Sequence, residues 1–138
     1  SEPVTRLEAA QMLLPLADDQ LPAPELTDTA EEAARRAAAN RFFPLEKGCF
    51  APRRTISRQE MATVAMQACG VNYRNASSTM PVCTDVDRVA NNYGTNAARA
   101  LYFGFMQLEA DGHFDPERPV SRKEAVEILD RVADFAGL

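Results

Sequence analysis

The sequence predicts an all-α domain assembled from helix–loop–helix repeats. Three observations carry that prediction. A six-residue pattern of aliphatic, hydroxyl, Arg, any residue, Glu and apolar occurs three times, at offsets of 52 and 64 residues. The copies are Val4-Thr5-Arg6-Leu7-Glu8-Ala9, Ile56-Ser57-Arg58-Gln59-Glu60-Met61 and Val120-Ser121-Arg122-Lys123-Glu124-Ala125. Each is followed, in one register, by apolar residues at the spacing of an amphipathic helix face: Ala9, Met12, Leu13 and Leu16; Met61, Val64, Ala65 and Ala68; Ala125, Ile128, Leu129 and Val132. Strand signals are weak throughout, and self-similarity of this kind marks stacked supersecondary units.

The elements follow in order. The first motif opens a helix that Pro15 ends or kinks near Leu14. A Pro-rich connector, Asp18 to Glu25, leads to Leu26-Thr27-Asp28-Thr29, whose Asp and Thr read as helix-start residues. The helix behind them is Ala-rich, with Ala33, Ala34, Ala37 and Ala38 on one face. In Lys47-Gly48-Cys49-Phe50-Ala51-Pro52, Gly48 suits a turn with positive φ, Phe50 a core anchor, and Pro52 a stiffened approach to the second motif. The Ser- and Asn-rich stretch Val71 to Pro81 is a second connector.

The pattern then recurs. Cys83-Thr84-Asp85-Val86 stands for the earlier helix start, followed by extra residues that include Asn91, Asn92, Tyr93 and Gly94. Ala97, Ala98, Leu101 and Tyr102 align with the Ala-rich face, and Asp111-Gly112-His113-Phe114-Asp115-Pro116 with the glycine loop. Gly137 is the expected C-cap of the last helix, before Leu138. The chain thus reads as one domain: 1–20 is the second half of a first repeat, 26–70 a second repeat and 81–138 a third.

Composition bounds the function. The chain has 138 residues, 46% hydrophobic and 25% charged, which suits one globular domain. Its net charge of −5 argues against nucleic acid and anionic lipid as partners. No apolar run approaches the roughly 18 residues of a membrane span, and Ser1-Glu2-Pro3-Val4 does not read as a signal peptide. The single histidine, His113, removes most His-based catalytic and zinc schemes. Cys49, Cys69 and Cys83 form no CxxC pair. They read either as buried small hydrophobes or as one disulfide plus a thiol, and compartment is not decided by them.

The motif itself has a structural explanation. Thr5 with Glu8, Ser57 with Glu60, and Ser121 with Glu124 are capping boxes, and Val4, Ile56 and Val120 are staples. The arginines are left over. Arg6, Arg58 and Arg122 occupy the first helical position, where a cation opposes the helix dipole. Either they are solvated surface residues, or, beside free helix N–H groups, they make pockets for a carboxylate or phosphate.

With these motifs in order, the chain resembles a set of S-layer homology repeats over nearly its whole length. That family runs from an aspartate-containing start through an aromatic and a helix to a glycine loop, then to a hydroxyl-Arg-x-Glu helix. The third copy fits best, through Thr84-Asp85-Val86, Tyr93, Ala97-Ala98, Gly104-Phe105, the loop from Asp111 to Pro116, and the motif from Val120 to Ala125. The resemblance implies a pseudo-threefold helical bundle with grooves between repeats. It implies an extracellular module, associated with the cell wall or S-layer, that anchors its protein non-covalently to cell-wall glycan. The polymer would be a pyruvylated secondary cell-wall polymer or modified peptidoglycan. It nominates Arg58, Arg122 and Arg6 as the contacts to the acidic group, with the helix of Arg6 cut by Pro15 and therefore ranked last.

There are departures from the family pattern. Tyr93 stands where the family usually has Trp, and the middle repeat has no aromatic there. That repeat is also shortened before its helix, and Gly48 lacks the preceding Asp. Tyr93, with Phe105 or Tyr102, can stack on a sugar or serve the core.

The expectation is therefore a non-catalytic carbohydrate-binding module, with no cofactor and no metal. The alternative is a protein-interaction or self-association scaffold, in which the arginines bind acidic side chains. Exposed guanidinium groups lining concave grooves favour glycan; convex or ion-paired ones favour the scaffold. Asp85, Asp87 and Asp111 lack a calcium-loop pattern and read as cap and turn residues. Cys69 with His113 is a weak nucleophile pair. Glu31-Glu32 and Arg35-Arg36 suit surface ion pairs. Asn75-Ala76-Ser77 is a glycosylation acceptor pattern of little weight here.

Overall fold

The structure, a computed structural model, describes residues 2–70, 83–90 and 93–137. The connector at 71–81, with Asn75-Ala76-Ser77, together with Asn91, Asn92 and Leu138, lies outside the described residues. Among the described residues there are five helices: α1 (Arg6–Leu13), α2 (Glu32–Ala39), α3 (Arg58–Cys69), α4 (Gly94–Tyr102) and α5 (Arg122–Ala136). Single 3-10 turns occur at Leu14–Leu16 and Val86–Arg88. Among the described residues there are isolated bridges but no strand, so the chain is all-α.

Pro15 acts as expected. It removes a backbone donor, and α1 gives way to the 3-10 turn at Leu14. Residues in the motif register are buried in all three helices. In α3 and α5 every one of them is, whereas Met12 and Leu16 pack only partly on the core. The helix α3 also buries Ala62, Met66 and Cys69, because it packs against both α4 and α5. The helix α1 packs against α2 and α5.

The staple residues do more than staple. Val4, Ile56 and Val120 are all fully buried, which contributes roughly 1.5–3 kcal/mol for each such side chain. Their backbones close a circuit. Val4 donates to the carbonyl of Val120 at 2.8 Å, Val120 to Ile56 at 2.8 Å, and Ile56 to Val4 at 3.3 Å. A second set of bonds runs beside it: Arg6 N–H to Arg54 O, Arg58 N–H to Arg118 O, and Arg122 N–H to Glu2 O. The three helix starts are thereby tied to one another through their entry strands.

Gly48 and Gly112 have φ of +80° and +85°. A Cβ at Gly112 would meet Thr84 Oγ1 at 3.2 Å, and one at Gly48 would meet Thr27 Cγ2 at 3.3 Å. Each loop is clamped by an aspartate. Asp28 accepts from the N–H groups of Phe50 and Ala51, and Asp85 from those of Phe114 and Asp115. This corrects the reading of Asp28 and Asp85 as helix starts. Neither α2 nor α4 has a side-chain cap, because each aspartate spends both oxygens on the loop more than twenty residues downstream. Phe50 and Phe114 are fully buried beneath these clamps.

Two further expectations change. The capping boxes at Thr5–Glu8 and Ser57–Glu60 are complete, but at α5 only Ser121 accepts from Glu124 N–H; the Glu124 carboxylate is engaged elsewhere. The buried face of α4 is Ala97, Ala98 and Ala100, which leaves Tyr102 61% exposed. Arg36 does pair with Glu32 at 3.0 Å, yet Arg35 and Arg36 also bond carbonyls of the Pro-rich connector at Ala23, Pro24, Asp19 and Leu21. The three cysteines form no disulfide with one another; Cys69 and Cys83 are buried and Cys49 is exposed.

Candidate functional site

The motif arginines do not project from the helix ends. Arg58 and Arg122 turn sideways onto the glutamate of another copy, and Arg6 turns onto the loop at Phe43 and Pro44. The Arg58 side chain is 3% exposed, lies over the Phe114 ring at 5.0 Å, and bonds the carbonyls of Phe114 and Gln107. Its remaining donor is ion-paired with Glu124. Glu124 also takes Arg118 at 3.1 Å, and Arg118 pairs with Glu109 at 2.6 Å. Burial works against charge on Arg118, but Glu109 and Glu124 hold its pKa above the ordinary arginine value.

Arg122 is half exposed. It pairs with Glu8 at 2.5 Å and reaches Glu2 at 3.8 Å. The Thr5 N–H, and then Arg122, hold Glu8 below the usual carboxylate range.

Arg6 differs. It is 3% exposed, with its guanidinium 5.0 Å from the Phe43 ring and 5.2 Å from the Phe50 ring. One nitrogen donates to Pro44 O at 2.7 Å. Among the described residues no carboxylate lies within ion-pair distance, and its buried Nε has no hydrogen-bond partner. Burial, with Arg54 nearby, lowers its pKa from the ordinary value. An arginine so placed keeps its charge, and the carboxylates that favour that charge, Glu60 and Glu46, stand beyond ion-pair distance.

The free helix N–H groups expected beside the arginines are absent at α1 and α3. Arg6 and Leu7 donate to Arg54 and Pro52, and Arg58 and Gln59 to Arg118 and Pro116; the third amide of each helix goes to its cap. The backbone circuit consumes the donors that an anion would need, so any anion recognition falls to side chains.

Two clefts sit in corresponding places, 64 residues apart. One, of about 150 Å³, is lined by Arg58, Gln107, Glu109, Glu124, Glu127 and Arg131. It is crowded by the ion pairs just described. The other, of about 500 Å³, is lined by Phe43, Pro44, Leu45, Arg41, Thr63 and Tyr93. Arg6 packs directly on Phe43 and Pro44 of this lining. Tyr93 lines the larger cleft; Arg6 is not in its lining but is buried behind the Phe43–Pro44 wall, while Arg58 lines the smaller cleft and Arg122 lines neither. Phe105 is buried in the core, stacked on Phe103 and edge-on to Phe135, and Tyr102 does not line either cleft. Arg41 was not singled out by sequence; its φ of +60° lies in a region that no local pattern predicts. Among the described residues, no group of three His, Cys, Asp or Glu side chains is placed to hold a metal ion. Nor is any helix there long and apolar enough to cross a membrane.

Comparison with known proteins gives the following. The sequence model of the S-layer homology domain matches residues 84–126. No curated protein matches the chain. Among solved structures, the undecaheme cytochrome from the S-layer of Carboxydothermus ferrireducens is similar at 19% identity and a TM-score of 0.46, over 99% of this chain and 21% of that one. The chain spans about a fifth of that protein's length. Residues 84–126 run from the threonine beside the Asp85 clamp through the third motif, and it is over that segment that the sequence is similar to the S-layer homology domain.

Proposed function

We propose that this chain is a non-catalytic anchoring module of the cell envelope, outside the cell, that binds an anionic cell-wall glycan. The three motif copies act as one pseudo-threefold unit, divided as 1–20, 26–70 and 81–138. The cyclic bonds among Val4, Ile56 and Val120 support that division. The ligand is a pyruvylated secondary cell-wall polymer or modified peptidoglycan. Its carboxylate or phosphate supplies the counterion that Arg6 lacks, and Tyr93 stacks on a sugar ring beside it.

The observation that carries the reading is the contrast among the arginines. Arg58 and Arg122 are ion-paired with carboxylates of the chain, whereas among the described residues Arg6 has no carboxylate within ion-pair distance and packs behind the wall of an open cleft that Tyr93 lines. Arg122, half exposed, becomes available to a ligand that displaces Glu8; Arg58 does so only if Glu124 moves.

The scaffold reading keeps a specific support. Two of three motif arginines are ion-paired internally, as a merely structural motif requires. Sedimentation of the protein with purified sacculi separates the readings. The anchor reading predicts co-sedimentation, lost when the non-peptidoglycan polymers are stripped if the ligand is the secondary polymer and kept if it is peptidoglycan. A folded protein that stays in the supernatant with sacculi from its own source supports the scaffold instead.

A further inference from the structure

A second cleft, of about 540 Å³, lies on the outer side of the first two repeats, with Leu7, Ala51, Pro52, Arg53, Arg54 and Glu31 in its lining. Its counterpart 64 residues on is formed by Gln59, Asp115, Pro116, Glu117 and Arg118. There the surface is covered by the chain itself. The stretch Val86–Ala90 crosses it, with Ala90 N–H donating to Gln59 Oε1 at 3.0 Å and Arg88 pairing with Glu117 at 3.3 Å. Pro116 is buried, whereas Pro52 is only half-buried.

Among the described residues the second repeat lacks that cover. From the clamping aspartate to the aligned helix alanine is 5 residues, Asp28 to Ala33, against 12 from Asp85 to Ala97. The uncovered surface has also changed its chemistry. Gln59 becomes Leu7, so an acceptor for backbone N–H becomes an apolar wall. Glu117 becomes Arg53, which has no ion-pair partner among the described residues. Arg54, unlike its counterpart Arg118, has only Glu60 at 3.8 Å. Glu31 is the one acid on the opposite rim besides Asp28, whose oxygens are already held by Phe50 and Ala51 N–H.

We propose that this cleft docks an extended protein segment that takes the path Val86–Ala90 takes in the third repeat. Charge complementarity specifies it: an acidic side chain where Arg88 sits, facing Arg53 and Arg54, and an aliphatic one where Ala90 sits, against Leu7. The site is separate from the Arg6–Tyr93 cleft and does not depend on the glycan reading.

The test uses fluorescein-labelled peptides copied from residues 84–92. One carries Arg88→Glu and Ala90→Leu; the other is unchanged. Anisotropy titrations are run against the wild type and the Arg53→Glu variant, with folding of both checked by circular dichroism. The substituted peptide is expected to bind the wild type roughly tenfold more tightly than it binds Arg53→Glu, and the unchanged peptide to show the reverse order. Equal affinity for both proteins, or no binding of either peptide up to about 1 mM, overturns the proposal. So does binding of purified anionic wall polymer that Arg53→Glu weakens while neither peptide binds, which would make it a glycan site.

Discussion

Arg58 is ion-paired with Glu124, the motif glutamate of the copy that begins 64 residues later. Arg122 makes the equivalent contact with Glu8. Each pair ties the first helical turn of one motif to the first turn of another. The cost is visible in α5, where Glu124 no longer reaches back to the Ser121 N–H. The four-residue phrase hydroxyl-Arg-x-Glu is therefore both a local cap and a long-range link.

Truncating Arg58 breaks a buried link. Arg58→Ala is expected to destabilise the fold by about 3–5 kcal/mol, since it leaves Glu124 with Arg118 alone, removes the donors to the Phe114 and Gln107 carbonyls and opens space beside Phe114. Arg58→Met, which keeps the packing, should cost clearly less. Urea unfolding of the two variants checks the order.

The loop glycines differ in what surrounds them. Gly112→Ala is expected to cost more than Gly104→Ala. Both have positive φ, at +85° and +77°, which costs roughly 1–2 kcal/mol for an L side chain, but only at Gly112 would the new Cβ meet a neighbour, Thr84 Oγ1. Thermal midpoints of the two variants measure the difference.

Acid should loosen the loop clamps. Burial opposes charge on Asp85, yet the N–H groups of Phe114 and Asp115 hold its pKa below the usual range, and the N–H groups of Phe50 and Ala51 do the same for Asp28. A carboxylate with a depressed folded pKa contributes stability above its unfolded value of about 4, and that contribution is lost as pH falls through the folded value. Wild-type stability should therefore drop below about pH 4. Asp85→Asn should be less stable at pH 7 by about 1–3 kcal/mol and show a shallower acid dependence. Denaturant midpoints between neutral and acid pH test this.

Much of this architecture was legible locally. The helix faces of α3 and α5, the stop at Pro15, the glycine turns, and Phe50 and Phe114 as anchors all follow from spacing within a few residues. What was not legible depends on partners far along the chain. Asp85 looks like a helix cap until Phe114, 29 residues away, claims its oxygen. Pro15 ranks Arg6 last in the sequence, yet what distinguishes it is that, among the described residues, no carboxylate of another copy comes within ion-pair distance of it. Tyr102 falls outside the buried face because that face of α4 turns on Ala100, one of three alanines among four consecutive helix positions.

The central claim is that the cleft beside Arg6 and Tyr93 holds an anionic wall polymer. The most direct measurement is co-sedimentation of Tyr93→Ala, Arg6→Met and a Lys47→Ala control with purified sacculi, each variant first shown to be folded. Tyr93→Ala should lose binding by roughly tenfold or more, as loss of a stacked aromatic and its cleft does, Arg6→Met should lose it further, and Lys47→Ala should bind like the wild type. Full retention of binding by both cleft variants would contradict the account.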